Sequence, residues 1–394
     1  MIQNAVLVEN VKRCVFLIKD KRKLNGGNMR KVGIITIPDY NNYGNRLQNY
    51  AVKKYFENKG FKVETLEMND KSFEQRNARK IKLYLKKYHL TFLTFLFEAF
   101  SKGINNAFRY LKFEKFTRKH LNVKYIPQWE DNVVEKIGNE YSYIVLGSDQ
   151  IWHPYVNTTP NLFFGLFVNP RKRLFFAPSF GVESLSREYS NLVQKSLEGV
   201  ENISVREKAG KNILEKLTNA DVTVLCDPTL LLPQNEWSKI AIKPKKIPEK
   251  YILSYFLGHV SQKYTEASEK IEKELGSECY RIANKSDRDS FITGPSEFIY
   301  AIKNAKFVIT DSFHAVAFSL IFKKPFLVCS RLNDKGESEG LDSRIDLLLG
   351  MFGMEHRKYS EDLNYDDLMN PIDNIDGIFD EQRHKAKKYF DKIN

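Results

Sequence analysis

At 394 residues, 42% hydrophobic and with only 13 prolines, the chain is too long for one ordinary core and is composed like a folded protein, which excludes a disordered or low-complexity chain. Its formal charge of +13 is concentrated, since residues 71–120 alone hold 13 Lys and Arg against three acids, and no apolar run approaches the roughly 20 residues of a membrane-spanning helix. Four scattered cysteines, Cys14, Cys226, Cys279 and Cys329, have no CxxC pair and no histidine at ligand spacing, so the reading contains no metal site and favours a reducing cytoplasm.

The first residues, AVLVENVKRCVFLIKDKRK, are too charged for a signal-peptide core. Residues 1–28 read as an N-terminal extension upstream of a strong strand pattern, KVGIITI. From there short apolar runs alternate with helix-length amphipathic ones, the signature of parallel α/β layers. Strand VGIITI leads through PDYNNYGN into helix RLQNYAVKKYFENKG, which Asn45 is placed to cap and Gly60 to end, and strand KVETLEM completes a βαβ unit. A basic, aromatic insertion at 71–120 interrupts the pattern. Strands are then expected at 141–147, 173–179, 201–205 and 222–227, closing a first Rossmann-like domain over 29–235.

Three prolines and five lysines between Leu232 and Lys250 mark a domain boundary. A second Rossmann-like domain, 245–360, follows with strands YILSYFLG, CYRIA, KFVITD and PFLVCS alternating with helical runs, and a polar helical tail occupies 361–394. Two such halves in series predict a glycosyltransferase-B-like α/β fold, with ligands at the carboxyl ends of strands facing a cleft.

Polar residues directly after strands are therefore the candidates. In PDYNNYGNRLQ, Asn42 and Asn45 offer neutral hydrogen bonds beside a helix start and Gly44 permits close backbone approach; a plain capped loop is the competing reading. In LGSDQIWHP, Asp149, Trp152 and His153 leave a strand together, a carboxylate, an indole and an imidazole suited to proton transfer and sugar stacking, against a simple helix cap. Arg206 in SVREK presents a planar fork suited to carboxylate or phosphate, against a surface ion pair. Asp227 in CDPTLLL reads as a turn former before proline. In VITDSFHAVAFSL, Asp311, Ser312 and His314 open an apolar helix after a strand, the layout of an anion site. Arg331 and Arg344 lie on what reads as a glycine-containing loop able to close over a ligand.

The ordered set NNYGNRLQNYA, YIVLGSDQIW, FFAPSFG, ISVREKAG, VLCDPTLLL and FVITDSFHAVAFSLIFKKPFLV resembles the polysaccharide pyruvyl transferase family over roughly residues 30–350. The resemblance implies a glycosyltransferase-B-like fold, phosphoenolpyruvate as donor substrate with no cofactor, and a saccharide acceptor, free or lipid-linked, of capsule or exopolysaccharide biosynthesis. It implies that Arg206 and His314 grip the donor. Ser312 stands where many members carry Arg, and Asn45 where they carry Asp, so Arg344 or Arg331 is expected to supply the missing cation. His314 and Asp149 are the candidate catalytic groups, either of them the proton donor; Arg206, Asn42, Asn45, Trp152, His153, Ser312 and Arg344 are the candidate substrate-binding residues.

In the insertion, residues 80–118 place Ile81, Leu85, Tyr88, Phe92, Phe95, Leu96 and Phe100 near helical spacing among lysines. That suits a helix lying on an anionic membrane, against a hairpin packed on its own domain. No nucleic-acid module accompanies the charge. The expected setting is cytoplasmic, peripheral at the inner face of the membrane if the helix docks there. The rival readings are a nucleotide-sugar-dependent glycosyltransferase of the same fold and a catalytically decayed membrane-surface protein.

Overall fold

The computed structural model describes residues 30–68, 82–83, 85–126, 130–155, 160–340 and 342–392. The expected extension at 1–28 and Ile81 lie outside them.

The chain is an α/β protein built on two parallel sheets. In the first, β1 (Lys31–Ile35), β2 (Lys62–Met68), β3 (Val123–Ile126), β4 (Tyr143–Asp149) and β5 (Arg173–Pro178) stand in the order β3-β2-β1-β4-β5. Val32 aligns with Val63 on one side and Tyr143 on the other, and every pairing is parallel. Strands β6 (Asn202–Val205) and β7 (Asp221–Val224) form a parallel pair beside β5, linked to it through Ser204, whose hydroxyl donates to Phe175 O and accepts from Ala177 N. This is the doubly wound Rossmann order. Its central strands read as nearly continuous apolar runs because helices cover both faces.

The second sheet has the order β11-β10-β8-β9, from β8 (Tyr251–Tyr255), β9 (Glu278–Arg281), β10 (Phe307–Thr310) and β11 (Phe326–Val328), again all parallel. Between the sheets the chain forms a helix at Gln234–Ile240, whose fully buried Trp237 sends its indole N–H to Thr229 O. The two Rossmann-like units share one core. Tyr43, from the helix after β1, stacks on Phe298 at a centroid distance of 4.6 Å and on Phe113 at 5.3 Å, joining the first sheet, the second and the insertion.

Helix α1 (Tyr43–Asn58) is capped not by Asn45 but by Asn42, whose Oδ1 accepts from Asn45 N at 3.2 Å. The insertion is not one long amphipathic helix. It breaks at 88–90, where His89 adopts φ 57°, and again at Gly103 at φ 90°, between α2 (Thr91–Lys102) and α3 (Ile104–His120). Nor does it rest on one domain. Arg109 of α3 donates to Tyr43 Oη and Phe291 O, both at 2.7 Å, and to Asn41 O at 2.9 Å, while Lys112 pairs with Glu297. On its other side, Lys86 and Arg46 share the buried carboxylate of Glu67 with Tyr40 Oη. Burial, opposed by Glu67 and Glu114, brings the Lys86 pKa down to about 8.

The C-terminal helix α12 (Asp376–Asp391) returns to the first sheet. Phe390 packs edge-on against Phe56 and Phe176 and tilted against Tyr55; Asp391 pairs with Lys59, and Lys392 with Asp221. Among the described residues no helix is long and apolar enough to cross a membrane.

Candidate functional site

The candidate residues gather where the carboxyl ends of both sheets face each other, beside the β1–β4 switch point of the first. Strand β4 delivers Asp149, which sits at φ 70° after a cis Gly147–Ser148 peptide. A non-glycine residue in the left-handed region is held there by its surroundings, a feature that clusters at functional sites. Strand β6 delivers Arg206, whose backbone N–H donates to Pro178 O at 3.1 Å and fixes the start of its side chain. The short helical turn at 228–231 begins at Asp227, and α10 (Phe313–Ile321) begins just before His314.

Arg206 is the hub. Its Nη2 donates to Ser148 Oγ at 2.6 Å and lies 2.7 Å from Asp227 Oδ2, close enough for an ion pair but off the N–H direction. Its Nη1 is 3.6 Å from Asp149 Oδ1. On the far side, Asp149 meets Arg344 Nη1 at 3.8 Å and accepts from Asn45 Nδ2 at 3.3 Å. Asp227 Oδ2 lies 3.7 Å from His314 Nε2, while its Oδ1 accepts from Thr229 N and Oγ1. The Arg206 and Arg344 guanidinium groups flank the Phe313 ring at 5.5 and 5.7 Å, and all three line a small cavity with Asp227, Cys226 and Met351.

Burial pushes both aspartates toward neutrality, but the cations win. Arg206 and His314 hold Asp227 well below the usual carboxylate range, and Arg206, His314 and Arg344 hold Asp149 below it against the repulsion of Asp227. Both are carboxylates at neutral pH. Burial, with Arg344 nearby, lowers the His153 pKa. Asp311 goes the other way: burial raises its pKa, although Oδ1 and Oδ2 accept from Leu257 N and Gly258 N at 2.8 Å each. It ties the ends of β8 and β10 together.

What the site lacks are hydrogen-bond partners for several buried nitrogens. Arg206 Nε and Nη1 and His314 Nε2 are buried without a hydrogen-bond partner. A buried polar atom left unpaired costs roughly 1–3 kcal/mol, so a cluster of them, Asp227 Oδ2 included, marks a place for a hydrogen-bonding ligand.

Several expectations change. Trp152 is fully buried against Phe164, Phe175 and Phe180 with its indole N–H on Phe163 O; it is a core residue and does not face the cleft. Asn42 is committed to capping α1. Arg344 lies not on a loop but in the first turn of helix α11 (Ser343–Phe352), which fixes its direction. His153 is half-buried, its Nδ1 accepting from Tyr155 N at 3.2 Å. Ser312 is buried at the N-cap of α10 without a side-chain capping bond, its N–H on Thr310 Oγ1. Arg331 Nε faces Asp311 at 3.8 Å rather than the Arg206 cluster. The residue that sequence reasoning undervalued is Asp227, read as a turn former: it is that, through Oδ1, and through Oδ2 it also joins Arg206 to His314.

Gly44 allows a close approach, though to the protein itself. A Cβ there would lie 1.9 Å from His314 Nδ1, so the imidazole lies against the α1 backbone across the cleft. Only glycine leaves that space.

Fold and site together define a two-unit Rossmann-like protein, glycosyltransferase-B-like in arrangement, with a buried cluster of two arginines, two aspartates and a histidine between its units. The sequence model of the polysaccharide pyruvyl transferase family matches residues 42–333, and the chain belongs to that family of transferases. No curated protein matches it by sequence. Among solved structures it is similar to a Listeria monocytogenes protein assigned as a UDP-N-acetylglucosamine 2-epimerase (11% identity, TM-score 0.45, 91% of this chain and 90% of that one). It is also similar to the UDP-GlcNAc 2-epimerase of Methanocaldococcus jannaschii (12%, 0.41, 87% and 98%) and to the N-terminal domain of Candida albicans trehalose-6-phosphate phosphatase (12%, 0.38, 92% and 94%).

Proposed function

We propose that the protein transfers the pyruvyl group of phosphoenolpyruvate onto two hydroxyls of a saccharide, free or lipid-linked, as a ketal. The observation that carries this reading is the set of unpartnered buried donors, Arg206 Nε and Nη1 and His314 Nε2, beside Arg344 and Phe313. Two guanidinium groups about one apolar ring suit a small dianion that has both a carboxylate and a phosphate. With Ser312 in place of the family's usual arginine, Arg344 is the second cation, held in place by Asp149.

The chemistry needs a proton on the methylene carbon. Asp149 and Asp227 are ionised at neutral pH and have none to give. His314 is the donor in this reading, backed by Asp227 at 3.7 Å. Protonation leaves an oxocarbenium-like carbon, which one sugar hydroxyl attacks. Attack by the second hydroxyl and loss of inorganic phosphate close the ketal, with one hydroxyl proton ending on the methyl group and the other on phosphate. Asp149 orients the acceptor hydroxyl and the two arginines, and the guanidinium groups stabilise the phosphate as it leaves. No metal or cofactor is assigned a role.

Thermal stabilisation by phosphoenolpyruvate, set against a panel of nucleotide sugars, tests the donor. Wild type should be stabilised by phosphoenolpyruvate and Arg206→Ala should not. Stabilisation by a nucleotide sugar alone would replace pyruvyl transfer with glycosyl transfer.

A further inference from the structure

Helix α2 carries an apolar face that nothing among the described residues covers. Phe92, Leu93, Leu96 and Phe100 are exposed, Phe92 at 69% and Phe100 at 98%, with Tyr88, Leu90 and Ile104 exposed at its two ends. At 100° per residue, positions 92, 93, 96 and 100 fall within about 100° of one another, one continuous stripe. The opposite side is committed: Thr94 and Glu98 are buried, Glu98 pairs with Lys82 and Lys102, and Phe95 packs on Phe108 of α3. The stripe is therefore not a core face turned the wrong way. Among the described residues the fold makes no use of it.

Phe108 is also a wall of a groove of about 530 Å³ where α3 faces the second unit. Lys112, Lys115, Lys119, Lys245 and Arg288 line it, and the Arg288 guanidinium lies 5.2 Å over the Phe108 ring. Its two carboxylates are already engaged, Glu297 by Lys112 and Asp289 by Lys246. Lys115, Lys119, Lys245 and Arg288 remain exposed and are joined by no ion pair among the described residues. Burial beside Lys119 and Lys53 brings the His120 pKa down to about 4, so this histidine adds no charge at neutral pH.

A bare aromatic stripe on α2 and a basic groove along the adjoining α3 are the pair of signals that stable docking on a bilayer requires. We infer that α2 and the α3 groove form a docking surface for an anionic lipid bilayer, the stripe entering the interface and the groove taking acidic headgroups. A second copy of the chain would cover the stripe but leave the cationic groove unneutralised. The inference stands apart from the catalytic reading, and its test reads no turnover.

The test is co-sedimentation with vesicles of phosphatidylcholine alone and of phosphatidylcholine with about a third phosphatidylglycerol. Wild type should bind the anionic vesicles at least tenfold more tightly, and less tightly as salt rises. Phe92→Ser with Phe100→Ser should weaken binding at least tenfold at either salt. Lys115→Gln with Lys119→Gln should weaken it about thirtyfold, at roughly fivefold per removed charge, and flatten the salt dependence. All four positions are exposed, so each variant should keep the wild-type melting temperature; that control separates lost docking from lost fold. Equal binding to both vesicle types, wild-type binding by either double variant, or a dimer in light scattering that the phenylalanine variant dissociates without any vesicle binding would overturn the inference.

Discussion

Replacing Arg206 with methionine tests the electrostatics of the site most directly. The substitution removes the bond to Ser148 Oγ and the cation 2.7 Å from Asp227 Oδ2, in a pair whose side chains are 3% and 0% exposed. Taking one partner from such a pair costs about 3–5 kcal/mol, because the other charge stays buried. In a chain of this size, at roughly 2 °C per kcal/mol, the melting temperature should fall by about 6–10 °C at neutral pH. The pH dependence separates this cause from lost packing. In the wild type, Asp227 titrates well below the unfolded value of about 3.9, so its stabilisation is complete above that pH and is lost only as pH falls through the depressed folded value. In the variant, burial without the arginine raises the Asp227 pKa above the unfolded value, so stability is lost as pH rises through it. The deficit should therefore be largest near pH 7 and shrink toward pH 4–5, by up to about 1.4 kcal/mol per unit. Urea unfolding of both proteins from pH 5 to 8 measures it, and Asp227→Asn in the Arg206→Met background should recover part of the loss. A deficit below about 1 kcal/mol at pH 7, or one that does not vary with pH, would refute the argument.

Gly44→Ala places a methyl group where the His314 imidazole lies; stability should drop by about 1–3 kcal/mol and phosphate release from phosphoenolpyruvate by more than tenfold, read by unfolding and by a phosphate assay. Arg344→Gln should weaken phosphoenolpyruvate binding at least tenfold in calorimetry, with an unfolding curve to show that the variant is folded; unchanged affinity in folded protein would remove the second cation. Trp152→Phe should lower stability by about 1–3 kcal/mol and leave the acceptor KM unchanged, since the indole is core. Lys86 has a folded pKa of about 8, below the unfolded 10.4, so its buried charge is a cost below pH 8 that is relieved as pH rises between those values. Subtracting the Lys86→Met stability curve from that of the wild type should isolate a rise across that window of up to about 1.4 kcal/mol per pH unit.

What the sequence showed plainly was whatever repeats along the chain. The apolar runs at VGIITI, YIVLG, YILSY and FVITD are central parallel strands, buried on both faces, and each appears as a strand. Strand β3, VKYI, went unread because it is four residues long, half-buried and at a sheet edge, with no turn signal after the basic insertion. The loop-to-site rule led to Asp149, Arg206 and His314 because a parallel sheet places its carboxyl ends in the cleft. It misplaced Trp152, since a residue three positions beyond a strand end has already turned back under Phe180, and spacing cannot show that. Asp227 was hidden for a different reason. An aspartate before proline satisfies a turn with one oxygen, and only three-dimensional contacts reveal what the other faces. The helical setting of Arg344, itself a candidate from the sequence, was hidden by the glycines before it, which read as a loop running through a helix start.

The return of α12 to the first sheet has a consequence for synthesis. Phe176 and Phe56 wait for Phe390, which leaves the ribosome more than 200 residues after Phe176. At roughly 5–20 residues per second the first unit stands unfinished for about 10–40 s, with an aromatic face uncovered while the second unit is made. The half that is translated first is thus completed only after the second, and its aromatic face stays uncovered until α12 arrives.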